Sequence, residues 1–127
     1  MKMTIESHHT ENRSPSLHKD IDVFNNYNFY IPSPDGKATI TISEYEDGSI
    51  YRIDMNIGKS GASVAAWCNA LSRMTTFALK NFSLEQVIKE LEDISSDRFI
   101  YSNGMAIRSG PEALYVALTQ YKILRRL

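Results

Sequence analysis

The chain has 127 residues, 43% of them hydrophobic, and its 14 basic and 15 acidic side chains leave a formal net charge of -1. These values predict one globular domain with a modest core and exclude a strong electrostatic attraction to a nucleic-acid polymer or a membrane surface. No apolar run approaches the roughly 18 residues of a membrane span, and the one cysteine, Cys68, cannot form an intrachain disulfide, so we expect a cytoplasmic protein.

Residues 1–26 are polar and show no hydrophobic period, which predicts an N-terminal arm or tail ahead of a single domain over residues 27–127. All three histidines, at His8, His9 and His18, lie in this segment. A closed zinc site needs four well-placed ligands, and no cysteine accompanies these histidines. We therefore predict no metal site.

Three segments with strand character follow, separated by turns that contain Asp-Gly. The first is short and covers Asn28–Ile31, and in the next two apolar and polar residues alternate. A period of two predicts half-buried strands, and tight turns between them predict an antiparallel β-meander with one solvated face. The apolar positions of the alternating segments are Ala38, Ile40, Ile42, Tyr51, Ile53, Met55 and Ile57.

The longest helical pattern runs from Ala62 to Lys80, directly after the turn Gly58-Lys59-Ser60-Gly61. Because no other helical segment is as long and apolar, we expect this one to be the core helix on which the rest of the chain packs. Apolar residues recur there at the spacing of one buried helix face. They are Val64, Trp67, Cys68, Leu71, Met74 and Ala78.

A second helix is predicted after Ser83, where Ser83 and Gln86 match a capping box and Phe82 with Val87 matches a hydrophobic staple. Asn103-Gly104 then lies between two short apolar runs, which is typical of a β-hairpin turn.

The run Ser109-Gly110-Pro111-Glu112 predicts the start of a C-terminal helix, with a second capping box at Glu112. The fold class is therefore α+β: an antiparallel β-meander packed on a long central helix, a second helix, a short hairpin-like segment and a C-terminal helix.

Residues suited to catalysis are not gathered in any recognisable pattern. Cys68 lies on the apolar stripe of a predicted helix, which is typical of a buried thiol, and all histidines lie in the N-terminal arm. No Ser-His-Asp or Cys-His arrangement follows from the spacing. The sequence therefore predicts no enzyme, no catalytic residue and no cofactor.

One segment, between Asp97 and Glu112, does concentrate side chains suited to ligand binding. Arginines offer forked donors for phosphate, aromatic rings offer faces for stacking on a base, and a helix start offers N–H groups. We expect the Asn103-Gly104 turn to bring Arg98 and Arg108 to one end of a hairpin, exposed and able to hold a diphosphate. The predicted ligand-binding residues are Arg98, Phe99, Tyr101, Asn103, Arg108 and Ser109, with the ring of Phe82 bordering the pocket.

The alternative interpretation of this segment involves no ligand. Phe99 and Tyr101 would then be half-buried strand residues, Asn103-Gly104 only a turn, and the arginines solvated surface charges.

From about Tyr27 to Tyr121 the chain resembles the TSCPD domain, which occurs at the C-terminus of adenosylcobalamin-dependent ribonucleotide reductases and in small stand-alone proteins. The similarity rests on Asn56-Ile57-Gly58-Lys59-Ser60-Gly61, on the helix ending Phe77-Ala78-Leu79-Lys80 and on the second helix from Ser83 to Leu91. At the motif that names the family, Gly110 stands where the Thr-Ser-Cys-Pro-Asp-Ala run has its cysteine. Thiol chemistry and metal ligation are therefore not carried over to that position.

In size and layout the chain is most similar to stand-alone proteins of the first type of Thoeris anti-defense family. That resemblance implies an oligomeric phage protein in the host cytoplasm, a sponge that sequesters cyclic ADP-ribose-type or cyclic nucleotide immune signals without cleaving them. Aromatic residues in excess of what one small core needs, Trp67 and Phe77 among them, also predict a homo-oligomer, a dimer or a higher even-numbered assembly. The alternative is an accessory or regulatory module of a ribonucleotide reductase or another nucleotide enzyme.

Overall fold

The computed structural model describes residues 4–9 and 23–127, with side chains from Asn25 onward. Four antiparallel strands form one sheet in which strands that follow each other in the chain are neighbours, and two further strands form a separate hairpin. The predicted α+β fold, with a long helix on an antiparallel sheet, is confirmed. In chain order the elements are β1 (Thr4–His9), β2 (Val23–Ser33), β3 (Gly36–Tyr45), β4 (Ile50–Ile57), α1 (Ala62–Asn81), α2 (Leu84–Glu90), β5 (Ile100–Ser102), β6 (Met105–Ile107) and α3 (Gly110–Arg125).

The alternation along β3 and β4 gives the sheet one buried face, as predicted. Ile40 lies opposite Met55 and Ile42 opposite Ile53, and all four side chains are buried. On the other face, polar side chains bond across the strands. The Thr41 hydroxyl, for example, donates to Asn28 Oδ1 at 2.6 Å. Such pairs extend β2 back to Val23, well beyond the Asn28–Ile31 segment that apolar residues alone indicate.

Strand β1 lies in the segment predicted as an arm or tail. Thr4–His9 pairs antiparallel with β2, so that Thr4 faces Tyr30 and His9 faces Asn25. The sequence did not predict this strand, because its pairing depends on the exposed edge of β2 and not on any hydrophobic period of its own. His18 lies outside the described residues, and the domain boundary after residue 26 stays a prediction.

Helix α1 covers the outer edge of the sheet. Strand β4 is the end strand, and its outward N–H groups at Ile53 and Met55 donate to Thr76 Oγ1 at 2.9 Å and to Ser72 Oγ at 2.8 Å. The two hydroxyls occupy the acceptor positions that a fifth strand would otherwise take. An edge covered in this way is closed to further strand pairing.

The expectation that α1 is the core helix is wrong, because α3 is the more deeply buried of the two. In α1 only Cys68, Ser72 and Thr75 are buried, and Met74, predicted on the buried stripe, is 64% exposed. Helix α3 contacts β2, β3, β6 and α2, whereas α1 contacts chiefly β4 along a single stripe. The buried residues of α3 are Gly110, Glu112, Ala113, Leu114, Val116, Ala117, Leu118 and Tyr121.

A buried polar cluster ties α3 to the sheet. A register shift after Ser43 accompanies the inward turn of Glu44, whose carboxylate is buried. The hydroxyl of Tyr121 donates to this carboxylate, and Arg125 Nε donates to it at 2.7 Å. The buried carboxylate of Glu44 therefore accepts two hydrogen bonds, which a buried charge requires. None of the described helices combines the length and apolar character needed to cross a membrane.

Candidate functional site

The hairpin that carries the predicted binding residues forms as expected. Ile100 pairs with Ile107 and Ser102 with Met105, and the two turn residues Asn103 and Gly104 have φ of 53° and 76°. Positive φ at both central positions defines a type I′ turn, which the Asn-Gly pair favours. Asn103 lies exposed at the tip.

The two aromatic rings of the hairpin are open to solvent. Phe99 is 59% and Tyr101 67% exposed, and their ring centroids lie 5.3 Å apart in an edge-to-face arrangement. The alternative in which they are half-buried strand residues is therefore wrong. Exposed rings of this kind present faces on which a planar base can stack.

Ser96 joins the two ends of the hairpin, so Arg98 and Arg108 flank its open end as predicted. The Ser96 hydroxyl donates to the Arg108 carbonyl at 2.7 Å and accepts from the Arg98 N–H at 3.2 Å. Both guanidinium groups already have carboxylate partners, however. Arg98 Nη2 lies 3.3 Å from Asp35 Oδ1, a single exposed contact of the kind that contributes little to stability.

Arg108 is held much more firmly. Its Nε lies 3.0 Å from both carboxylate oxygens of Glu112, and its Nη2 donates to Glu112 and to Asp93. Glu112 is buried and also accepts the backbone N–H of Arg108 at 2.7 Å. The hydrogen bonds from Arg108 hold the pKa of Glu112 below its usual range, and this stabilisation is lost as the pH falls through that lowered value.

The guanidinium of Arg108, which we expected to be exposed and able to hold a diphosphate, is therefore already engaged by two carboxylates. Its loss would leave the buried Glu112 carboxylate without its charged partner, which destabilises the folded state. The depression beside Arg108 is also lined by Glu92, Asp93 and Glu112, whose charge opposes an anionic ligand.

Ser109 is occupied as a helix cap. It is buried, its hydroxyl donates to the Ile94 carbonyl at 2.6 Å, and it accepts the Glu112 N–H at 3.0 Å. The second capping box is only half formed, since the Glu112 carboxylate accepts from Arg108 and not from Ser109. The box at Ser83 and Gln86 is confirmed in both directions, at 3.1 and 2.9 Å.

Phe82 borders a different depression, which we call the α1–α2 groove and which is lined by Met74, Thr75, Ala78, Phe82, Gln86, Val87, Lys89, Glu90 and Leu91. It has a volume of about 550 Å³, and the Phe82 ring is 59% exposed. Beyond Met74 a second depression of about 530 Å³ leads to Trp67, Ser96 and Asp35, the partner of Arg98. The sequence did not predict that Met74 lines these two depressions, because Met74 falls on the helix stripe expected to be buried.

Gly110, where the resemblance expects a cysteine, packs against the indole of Trp67. A Cβ atom at position 110 would lie 2.5 and 2.9 Å from Trp67 Cη2 and Cζ2 and 3.0 Å from Asp35 Oδ2. Carbon atoms do not approach that closely, so the ring would have to move. The space that a cysteine side chain would need is filled here by Trp67.

We expect Gly110→Ala to lower the free energy of unfolding by about 1–3 kcal/mol and to shift the fluorescence emission of Trp67, the only tryptophan of the chain. Gly58→Ala is the control, because no atom of the described residues lies within 4 Å of a Cβ there. In a Trp67→Leu background the cost of Gly110→Ala should shrink, and an unchanged cost in that background would contradict the packing argument.

In the comparison with protein families, the model of the TSCPD domain matches residues 15–122. Comparisons with curated proteins and with solved structures return no match.

Proposed function

The chain belongs to the TSCPD domain family, and from that membership we propose that it is a phage anti-defense sponge, a protein that sequesters a cyclic ADP-ribose-type or cyclic nucleotide signal without cleaving it. The proposal takes its ligand class from the resemblance to the first type of Thoeris anti-defense protein. It places the ligand on the hairpin, at Arg98, Phe99, Tyr101 and Asn103.

The observation that carries this proposal is the pair of exposed rings, at Phe99 and Tyr101, that follow Arg98 in the sequence. Phe99 and Tyr101 each leave more than half of their surface exposed, and stacking of one base on such rings contributes about 1–3 kcal/mol. Arg98 makes one exposed contact to Asp35, which it can exchange for a phosphate oxygen at small cost. Arg108 and Ser109 then stabilise the base of the hairpin and do not contact the ligand. Arg108 does so through its bond to Glu112, and Ser109 through its bond to the Ile94 carbonyl.

Self-association is the second part of the proposal. Met74 and Phe82 leave apolar surface on the α1–α2 groove that one copy does not cover. Contact between two copies along this groove would remove that surface from water and give an even-numbered assembly.

Native mass spectrometry of the full chain with cyclic ADP-ribose and with a cyclic dinucleotide tests both parts at once. We expect an even-numbered assembly that carries ligand of unchanged mass and releases it intact after denaturation. Arg98→Ala and Tyr101→Ala should each weaken binding at least about tenfold, which corresponds to about 1.4 kcal/mol.

Arg126→Asn is the matched control, since it removes an exposed cation at the end of α3 and keeps a residue that tolerates the left-handed conformation found there. Recovery of a cleaved ligand would show an enzyme, and uptake of no ligand by a well-folded single chain would contradict the sponge. The apolar α1–α2 groove would in that case favour the alternative, an accessory module that docks on a nucleotide enzyme.

A further inference from the structure

A polar groove lies between strand β4 and the opposite side of α1 from the α1–α2 groove, and we propose that it binds the phosphate group of a mononucleotide-sized ligand. We call it the β4–α1 groove. It has a volume of about 360 Å³, which falls within the range of small-molecule sites. The lining side chains that could contact such a ligand are Arg52, Asn69, Arg73, Phe77 and Lys80.

The charge of the groove is positive in a chain whose net charge is -1. Arg52 is paired with Asp54, with Nε 2.9 Å from Oδ2. Within residues 25–127, whose side chains are described, Arg73 and Lys80 have neither an ion-pair nor a hydrogen-bond partner. The two cations lie about two helical turns apart, roughly 10 Å, so they repel each other little, but together they give the groove a positive potential that favours an anion.

The spacing along α1 arranges these groups in one row. Asn69, Arg73, Phe77 and Lys80 follow one another at three- and four-residue intervals, so their side chains lie on one face of the helix. Phe77 stands between the two cations and is 63% exposed. A forked donor, an ammonium group, a ring face and an amide in one row suit a phosphate ester that carries a planar base.

An extended peptide is a poorer occupant of the same groove. A peptide that adds to a sheet edge needs the outward N–H groups of that edge. At Ile53 and Met55 these groups already donate to Thr76 and Ser72 of α1. The backbone ladder is therefore closed, and the side chains that face the groove are left to bind a small anion.

The β4–α1 groove has no lining residue in common with the α1–α2 groove and includes none of the hairpin residues. The inference is therefore independent of the sponge proposal, and either can fail without the other.

Calorimetric titration of the full chain with AMP, ribose 5-phosphate and adenosine tests the site. We expect AMP to bind, adenosine not to bind, and added salt to weaken AMP binding because the groove is open to solvent. Arg73→Ala and Lys80→Ala should each weaken AMP binding at least about fivefold, and Arg73→Lys should restore only part of it.

Phe77→Ala separates the ring from the charges, since it should weaken AMP but leave ribose 5-phosphate unchanged. Lys59→Asn is the control, because Lys59 is an exposed cation outside the groove in a left-handed turn position that Asn also adopts. The proposal is overturned if no AMP binds at about 1 mM, if adenosine binds as tightly as AMP, or if the well-folded Arg73→Ala protein binds AMP like the unaltered chain.

Discussion

Replacing Glu44 with alanine should lower the free energy of unfolding by about 3 kcal/mol, because it leaves a buried hydroxyl and a partly buried guanidinium without their shared acceptor. Glu44 is fully buried between β3 and α3, where it accepts from both Tyr121 and Arg125. Urea denaturation followed by circular dichroism measures the loss.

Two variants calibrate this result. Tyr121→Phe removes one hydrogen bond and keeps the ion pair, so it should cost about 1 kcal/mol. Glu46→Ala removes an exposed carboxylate two residues away and should change stability by no more than about 0.5 kcal/mol. If Glu44→Ala costs no more than Glu46→Ala, the cluster does not tie α3 to the sheet.

The same cluster gives stability an alkaline limit. Burial, and then the hydrogen bond to Glu44, raise the pKa of Tyr121 well above its ordinary value of 10.0. The folded state keeps the phenol proton at a pH where the unfolded chain loses it. The contribution of the Tyr121 phenol to the free energy of unfolding is therefore full below about pH 10 and falls as the pH rises further. Tyr121→Phe should reduce this dependence of stability on pH. Burial also raises the pKa of Tyr27, so the part of the pH dependence that comes from Tyr27 should remain.

Leu118→Ala should cost about 3 kcal/mol, because Leu118 of α3 is fully buried and its loss leaves a cavity. Leu71→Ala in α1 should cost roughly half as much or less, since its side chain is only partly buried. The two variants therefore measure which helix forms the core.

Leu124→Ala serves as the control within α3, because Leu124 is exposed near the end of the same helix and should cost below about 1 kcal/mol. Equal costs for Leu118→Ala and Leu71→Ala would contradict the assignment of α3 as the core helix. Chemical denaturation of all three variants at one protein concentration gives the comparison.

Local rules predicted the parts of this fold that depend on neighbouring residues. The Asn103-Gly104 turn, the capping box of Ser83 with Gln86 and the buried positions of β3 and β4 all follow from contacts within a few residues or from a period of two. The same rules placed Arg98 and Arg108 at one end of the hairpin, where Ser96 now holds them.

Partners that are distant in sequence decided the rest. Arg98 pairs with Asp35 and Arg108 pairs with Asp93, and these distant carboxylates reduce the charge that each arginine offers to a ligand. Glu112 is only four residues from Arg108, but its expected capping-box role did not predict this ion pair. Trp67, which is also distant in sequence, fills the space beside Gly110.

Backbone preference and hydrophobic period act over a few residues, so the order of amino acids was enough to predict the fold class, the strand faces, the turn and the helix starts. Packing between distant segments placed α3 and not α1 in the core, left Met74 exposed and paired β1 with β2. An apolar stripe indicates that one face of a helix can be buried. The strands and helices that cover this face come from other parts of the chain, so the stripe does not predict how deeply it is buried. Strand β4 covers one stripe of α1, whereas β2, β3, β6 and α2 together surround α3.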